Sequence, residues 1–392
     1  MILTTHPENL VLETFTAKVL QAYWVDENNM IATKLNSDIR NNFARILIKT
    51  ENAIGKPFEF RLHKRELLID IVQSDSFVDI ITANEQVFVF ELIPMKDSFR
   101  DIVGKDIIEN FYFSIKIGNG KFRKYSQESN KNLVVHSVRY VPLAFKNREF
   151  ISSEKVQLDW FSGSSNNSPN DVIPKLDYFS LDSVLTYQRM NNKYQDIINN
   201  EWDTENSLNL LREKISLMVS DGNLTLPDEN NTEYLFGNVS TEMITYNGDI
   251  RPTFDKYAHD SFADGTGWDQ FTDNLDDVFG LLGKFVWKIY AYGKLTYENG
   301  EVFINIESIN IYIKDSFDFN DSVAISQPLG FWDFKNNAFY RLPHLNPLIF
   351  PRIYITNSDY RGWRNFHNKA GDYNFYSIIK TVPRPLKTPL IP

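Results

Sequence analysis

The chain has 392 residues, of which 42% are hydrophobic and 23% charged, with 41 Lys and Arg against 51 Asp and Glu for a net charge of −10. This length supports two or three domains with cores of their own, and the composition excludes wholesale disorder. Acidity without a basic block argues against nucleic acid held by charge, and the absence of cysteine excludes disulfides, thiolate zinc sites and a cysteine nucleophile.

The first residues, Met1–Phe15, lack both a basic segment and an apolar segment of the kind a cleaved signal needs, and no run is long enough to span a membrane. The expectation is therefore a cytoplasmic protein in the producing cell, with any export using a route that reads no such signal. Residues 19–145 form a succession of short apolar and aromatic runs broken by Asn, Asp, Ser, Lys and Gly. Alternation is visible at Phe58, Phe60 and Leu62, and again at Phe88, Phe90 and Leu92 against Val87, Val89 and Glu91. This predicts an immunoglobulin-like antiparallel β-sandwich over residues 1–150. A linker is predicted over 151–172, clearest at Phe161–Asp171, where Ser, Asn, Gly and Pro crowd together.

Residues 173–392 read as an α+β domain built on an antiparallel sheet. One helix is predicted from Leu181 to Asn199, and a second, capped by Thr204, carries Leu208, Leu211, Ile215 and Met218 and stops at Asp221-Gly222. A short strand is expected at Glu242–Tyr246 and a capped helix start at Thr266-Gly267-Trp268-Asp269. The clearest unit is the hairpin Lys284–Asp315, whose two aromatic and β-branched runs meet at Asn299-Gly300, a type I′ turn signal. Phe285, Trp287, Ile289, Ala291 and Leu295 fall on a core face; Lys288, Tyr290, Lys294 and Thr296 fall on a wetter one. In the second run the apolar set shifts by one residue after Ile306, predicting a β-bulge near Glu307-Ser308. Then follow an acidic, aromatic loop at Asp315–Asp321, a strand around Arg352 to Ile355, a short helix capped by Ser358, a closing strand from Asp372, and an extended proline-rich tail.

Two constellations carry possible chemistry. On the helix after Ser358, Tyr360, Arg364 and His367 share a face with Arg361 beside them, and Asp372 follows. Arg can neutralise an anion or a developing oxyanion, and His can exchange a proton near neutral pH, so Arg361, Arg364, His367 and Asp372 form a candidate catalytic set. The same residues also fit a solvated helix with Trp363 and Phe366 docked on a sheet and the arginines paired to nearby acids. Asp255, His259, Asp260, Asp264 and Asp269 could bind a divalent metal, but their spacing matches no ordered ligand series and equally suits an Asp-rich loop and helix N-terminus. The Asp315–Asp321 loop has the same two readings. The sequence assigns no cofactor, and no nucleophile elbow, P-loop or dinucleotide fingerprint is present.

Several segments carry a resemblance. GTGWDQF at 265–271, AYGKLTYENGEVFINIESINIYIKDSFDF at 291–319, LGFWDF at 329–334 and YRGWRNFHNKAGDYNFYSIIK at 360–380 together resemble an uncharacterised bacterial domain family encoded near type VI secretion genes. AYWVD at 22–26 and the strands after it resemble immunoglobulin-like modules attached to polymorphic toxins and secretion cargo. The resemblance covers residues 240–385 best and transfers no catalytic residue. It implies interbacterial antagonism. The chain would then be an effector whose sandwich docks to the secretion apparatus and whose C-terminal domain is toxic. Alternatively it would be a non-enzymatic adaptor that recruits a partner by strand addition, or a cognate immunity protein whose acidity suits a basic toxin. In each case the expected partner is a protein.

Overall fold

The computed structural model describes residues 16–36, 43–65, 71–72, 76–92, 108–167, 179–237, 251–264, 276–282, 285–319, 328–333, 338–340 and 353–391. Two compact units emerge, Met1–Arg139 and Tyr140–Pro392. The expected strand at Glu242–Tyr246 and the expected helix start at Thr266–Asp269 lie outside the described residues.

The strands described in the first unit pair antiparallel, with short 3-10 turns at Ser129–Lys131 and, at its end, Ser137–Tyr140. Its strands are β1 (Lys18–Trp24), β2 (Phe43–Glu51), β3 (Pro57–Lys64), β4 (Ile71–Val72), β5 (Phe77–Ile80), β6 (Glu85–Glu91), β7 (Ile108–Ile117), β8 (Arg123–Tyr125) and β9 (Leu133–His136). One sheet runs β1-β2-β6; in the other β3 pairs with β4, β5 and β7, and β7 pairs with β8 and β9. The period-2 alternation turns aromatic residues of both sheets inward, where Phe58 meets Phe88 at 4.2 Å, Phe60 meets Phe90 at 4.8 Å and Trp24 meets Phe113 edge-on at 4.9 Å. Each such buried ring contributes about 1.5–3 kcal/mol of apolar transfer, so this layer holds the two sheets face to face.

The second unit is α+β. The predicted linker is corrected here: residues 151–172 include a 12-residue helix, α2 (Ile151–Ser162), preceded by α1 (Val141–Lys146). Val156, Trp160 and Phe161 recur at helical spacing and are buried, a stripe hidden among the polar residues that suggested a linker. The helix expected over Leu181–Asn199 is interrupted, giving α3 (Leu181–Val184), then α4 (Gln188–Asp196), which continues as a π-helical turn at Ile197–Glu201. The Thr204-capped helix forms as expected: α5 spans Glu205–Ser220, Thr204 Oγ1 accepts from Ser207 N at 3.2 Å, and Gly222 follows its end at φ +75°. Next come β10 (Glu233–Phe236), α6 (Arg251–Tyr257), β11 (Asp260–Asp264) and α7 (Asp277–Leu281).

The hairpin is the long axis of this unit, with β12 (Phe285–Glu298) of 14 residues and β13 (Glu301–Phe317) of 17. Asn299 and Gly300 take φ of 51° and 91° at the turn. The register slips between Tyr292 and Gly293, where Ser308 and Ile306 are successive partners and Glu307 is the extra residue, which is the bulge the apolar pattern predicts. The apolar face is Trp287, Ile289 and Ala291 opposite Ile313, Ile311 and Ile309, all buried, with Tyr194 of α4 touching Trp287. The face expected to be wetter is also covered, because Phe254 of α6 packs edge-on against Tyr290 at 4.4 Å and Tyr312 is fully buried.

Beyond the hairpin lie β14 (Pro328–Asp333), β15 (Ala338–Tyr340), β16 (Ile353–Thr356), α8 (Asn357–His367), β17 (Tyr373–Tyr376) and β18 (Lys380–Pro389). The acidic loop begins three residues later than expected, since Asp315, Ser316 and Phe317 still pair with β17, and Asp321 lies outside the described residues. The extended tail is corrected as well: β18 pairs with β13 from Ile311↔Lys380 to Phe303↔Pro389. An edge strand tolerates proline because an outward-facing N–H makes no ladder bond, so four prolines in the last residues do not forbid pairing.

Candidate functional site

Helix α8 carries three of the four predicted catalytic residues, Arg361, Arg364 and His367, and Asp372 follows it. Its start is fixed not by Ser358 but by Thr356, whose side chain receives the N3 backbone N–H while Asp359 reaches back to Thr356 N at 2.7 Å, forming a capping box. Burial raises the Asp359 carboxyl above its usual value against these stabilising bonds. The helix ends at Asn368, left-handed at φ 50°. Tyr360 stacks on Phe319 at 3.9 Å and donates to Gln157 Oε1 at 2.7 Å. Trp363 is buried with its ring edge-on to Phe161 at 4.7 Å.

Two of the four candidates come together. Arg364 Nη1 donates to Asp372 Oδ2 at 2.8 Å, and its Nη2 donates to the carbonyls of Ser165 at 2.7 Å and Asn167 at 3.0 Å. Asp372 is 1% exposed, and its other oxygen accepts from Trp160 Nε1 at 2.9 Å. The guanidinium thus closes the loop after α2 onto the loop after α8, and backbone bonds reinforce it: Ala370 N to Gly163 O at 2.9 Å and Gly371 N to Trp160 O at 3.1 Å. Arg361 turns elsewhere and donates to Phe319 O. His367 lies against Trp363 with ring centroids 4.4 Å apart. Of the paired-arginine and catalytic descriptions, the Arg364–Asp372 geometry has the form of the first: a charge-assisted bracket with a protein acceptor for each bond described.

The metal candidates are dispersed. Among the described residues no three His, Asp or Glu side chains gather as a metal site would require. Asp255 turns to lysines, with Lys314 Nζ at 2.6 Å and Lys288 Nζ at 3.7 Å. His259 is buried with neither ring nitrogen hydrogen-bonded, and burial drops its pKa to about 3, so the imidazole is neutral. Asp260 accepts from its neighbour Ser261 N at 2.7 Å. Asp269 and the side chain of Asp264 lie outside the described residues. In the Asp315–Asp321 segment, Asp315 accepts from Ser316 N and Asp318 from Ser316 Oγ, both at 2.8 Å, turn-forming bonds within the chain.

The first unit holds a concavity that the sequence did not announce. A groove of about 700 Å³ is walled by Leu20–Trp24 of β1, by Ile31–Thr33, and by Lys124–Glu128 with Lys131. Successive strand residues point to opposite faces, so a wall of five consecutive β1 residues is the strand's edge rather than a face. Among the described residues β1 ends its sheet with β2 as its one partner strand, and β8 pairs only with β7; at the C-terminal end of β1, however, Trp24 O accepts from Ala32 N at 3.0 Å and Val25 bridges Ile31. Leu20 is the residue skipped where the β1–β2 register slips between Val19 and Gln21, and it is 55% exposed, while Ile31 is 71% exposed. Lys131 pairs with Glu128 at 2.9 Å. The walls of the groove come from two stretches about 100 residues apart in sequence, so no local pattern marks it.

No helix among the described residues is long and apolar enough to cross a membrane. No curated protein and no solved structure matches the chain. A family model described as a family of unknown function (DUF6402) matches residues 137–390, which take in nearly all of the second unit with its hairpin, lysine-paired Asp255 and Arg364–Asp372 bracket. Over well more than half of its length, then, the chain is a DUF6402 protein, and it belongs to that family of unknown function.

Proposed function

We propose that the protein is a docking component of a bacterial secretion locus, an adaptor or cargo protein whose immunoglobulin-like first unit holds an extended segment of a partner protein. The observation that supports this reading is the groove walled by the outer edge of β1, which the Ile31–Ala32 segment covers only at the Trp24 end. A partner strand laid there would extend the β1-β2-β6 sheet, its main-chain bonds supplying affinity while Leu20, Tyr23, Ile31 and Tyr125 select apolar side chains. The resemblance to domains encoded near type VI secretion genes supplies the setting. It makes the partner a component of the secretion apparatus or a cognate protein of the same locus, met in the cytoplasm of the producing cell.

The test is a photo-crosslinking amino acid at Gln21 in the full chain, expressed in its native host. One discrete protein adduct is expected, lost in Leu20→Lys and in Ile31→Lys. A probe that yields no adduct, or an adduct insensitive to both changes, overturns the reading.

A toxin is the second reading; Arg361 and Arg364 are engaged by Phe319 O and Asp372, so His367, which lies against Trp363 at the end of α8, is the residue that tests it. Full-length chain expressed in the cytosol and in the periplasm of a susceptible bacterium would arrest growth, and His367→Ala would relieve the arrest. Growth arrest untouched by His367→Ala removes α8 as its active site; no arrest in either compartment leaves the docking and immunity roles, which the adduct's identity separates.

A further inference from the structure

We propose, resting on the docking role assigned to the β1 groove, that the main chain of Ala22 is its recognition point, so that the captured segment is a short strand antiparallel to β1 with one central residue paired to Ala22. Parity along β1 fixes which residues face outward. Val25 N donates to Arg45 O at 3.0 Å, and Trp24 lies opposite Ile46, Tyr23 opposite Leu47 and Ala22 opposite Ile48. In an antiparallel ladder, residue pairs that exchange main-chain bonds alternate with pairs that do not. Val25 and Tyr23 therefore turn their N–H and C=O toward β2, while Trp24 and Ala22 turn theirs to the outer edge. The Trp24 carbonyl bears this out, since it accepts from Ala32 N on that edge at 3.0 Å. No such backbone contact reaches Ala22 among the described residues. Its N–H and C=O stand in the wall of a groove of about 700 Å³, and edge groups in this state are a template for an added strand.

The open stretch is short. Ala32 closes it at the Trp24 end, and at the other end the register slips between Val19 and Gln21, leaving Leu20 as an extra residue that disrupts the ladder. On so short an edge direction matters. In antiparallel addition one incoming residue bonds both the N–H and the C=O of Ala22, whereas a parallel strand needs two residues to reach the same pair. Antiparallel is also the direction in which Ile31 bridges Val25 on this edge. Side-chain parity then sets the chemistry of the central residue. It shares a face with Ala22 and Trp24, the face on which Trp24 meets Phe113 edge-on at 4.9 Å. Alanine leaves the adjoining space to the partner, so the central residue is large and apolar, in a groove whose Leu20 and Ile31 are 55% and 71% exposed.

Two measurements on the full chain test this. Residue-resolved amide hydrogen exchange of the protein alone should find Ala22 exchanging about a hundredfold faster than Tyr23, whose N–H bonds β2. An Ala22 amide as protected as that of Tyr23 means that the edge is already covered, and overturns the proposal. The second measurement is crosslinking from Gln21 in the native host. Ala22→Pro deletes the outward N–H without touching a β2 bond, as an edge position allows. It should cut the partner adduct at least tenfold while the urea transition of the first unit stays in place, and Ala22→Gly, which keeps the N–H, should retain the adduct. Ala22→Leu also keeps the N–H but fills the space for the central side chain, so it too should cut the adduct at least tenfold. If Ala22→Pro lowers the urea transition, the exchange rate and Ala22→Leu carry the test. An adduct lost in Leu20→Lys but indifferent to Ala22→Pro and Ala22→Leu leaves docking to side chains alone: the docking role stands and strand addition at Ala22 falls. No adduct from a chain with Ala22 and Leu20 intact removes the docking role and strand addition with it.

Discussion

The two units both rest on antiparallel sheets, yet they treat sheet edges and faces differently. In the second unit the hairpin sheet has strands on both sides, β10 and β11 on β12 and β17 and β18 on β13, with ring contacts from α4 on one face and α6 on the other. The first unit buries its aromatic layer between sheets but leaves apolar side chains outside. Of the sixteen large hydrophobic residues exposed among those described, eleven belong to this shorter unit. Exposed strand edges and apolar patches cost solubility and invite pairing, so a protein keeps them where a partner is meant to bind. On the docking proposal, the contrast leaves recognition to the first unit and rigidity to the second.

The largest expected effect probes that rigidity. Arg364→Ala would take the guanidinium away from Asp372, which is 1% exposed and keeps the bond from the Trp160 indole. Breaking a buried pair in this way costs about 3–5 kcal/mol, read as a loss in the urea midpoint of the second unit. A loss below about 1 kcal/mol would show that the bracket is not what closes the two loops. Because Arg364→Ala is expected to destabilise, growth experiments on the toxin reading rest on His367→Ala.

Legibility in the sequence followed the same division. The hairpin, its Asn299-Gly300 turn and its bulge could be read because periodicity and turn chemistry are local. The Thr204 cap was legible for the same reason. Helix α2 and strand β18 were not. The buried stripe Val156, Trp160 and Phe161 sits among serines and charges, and the pairing of a proline-bearing segment with β13 depends on which side of the strand faces the sheet. The candidate site was legible in composition but not in wiring. Arg364 and Asp372 stand only eight residues apart, yet their bonds to Trp160 and to the Ser165 and Asn167 carbonyls depend on contacts about 200 residues apart in sequence. Asp255 was read as a possible metal ligand because its lysine partners lie on strands 33 and 59 residues away, beyond any local pattern.

A smaller effect is expected where backbones touch. A Cβ at Gly371 would run into the Ser164 carbonyl and come within 2.7 Å of the Asn167 side chain. Gly371→Ala should therefore cost about 1–3 kcal/mol by overpacking, and a melting temperature equal to wild type would mean that these loops can part freely. Acid tests both units at once, since each buries a neutral imidazole: His136, lowered to about 4 by burial and Arg139, and His259, lowered to about 3 by burial. An unfolded histidine takes up its proton near 6.5, so below that pH the unfolded state binds more protons and stability falls until the folded pKa is reached. The slope is at most about 1.4 kcal/mol per pH unit for each group. His259→Phe removes a ring with no hydrogen-bond partner and should flatten the acid limb of the second unit between pH 6.5 and 4, leaving that of the first. An unchanged limb would mean that carboxylates alone set the acid response.

The smallest expected change in stability carries the sharpest test of recognition. Leu20 lies at the slip in the β1–β2 register, where its side chain is largely in water and its backbone has no assigned partner. Leu20→Lys should alter stability by no more than about 0.5 kcal/mol, as surface substitutions do. The new ammonium would face Lys124 and Lys131 across the groove and repel them, and an apolar side chain of an incoming strand would meet a charge it cannot solvate. Partner capture at Gln21 should then fall at least tenfold while the urea transition of the first unit stays in place. If both fall together, Leu20 is packing rather than recognition, and the first unit is an unfinished core instead of an open one. If neither moves, the groove is idle, and the eleven exposed apolar residues must answer to a different surface, of which β5 is the next to try, since all four of its residues, Phe77 to Ile80, are exposed.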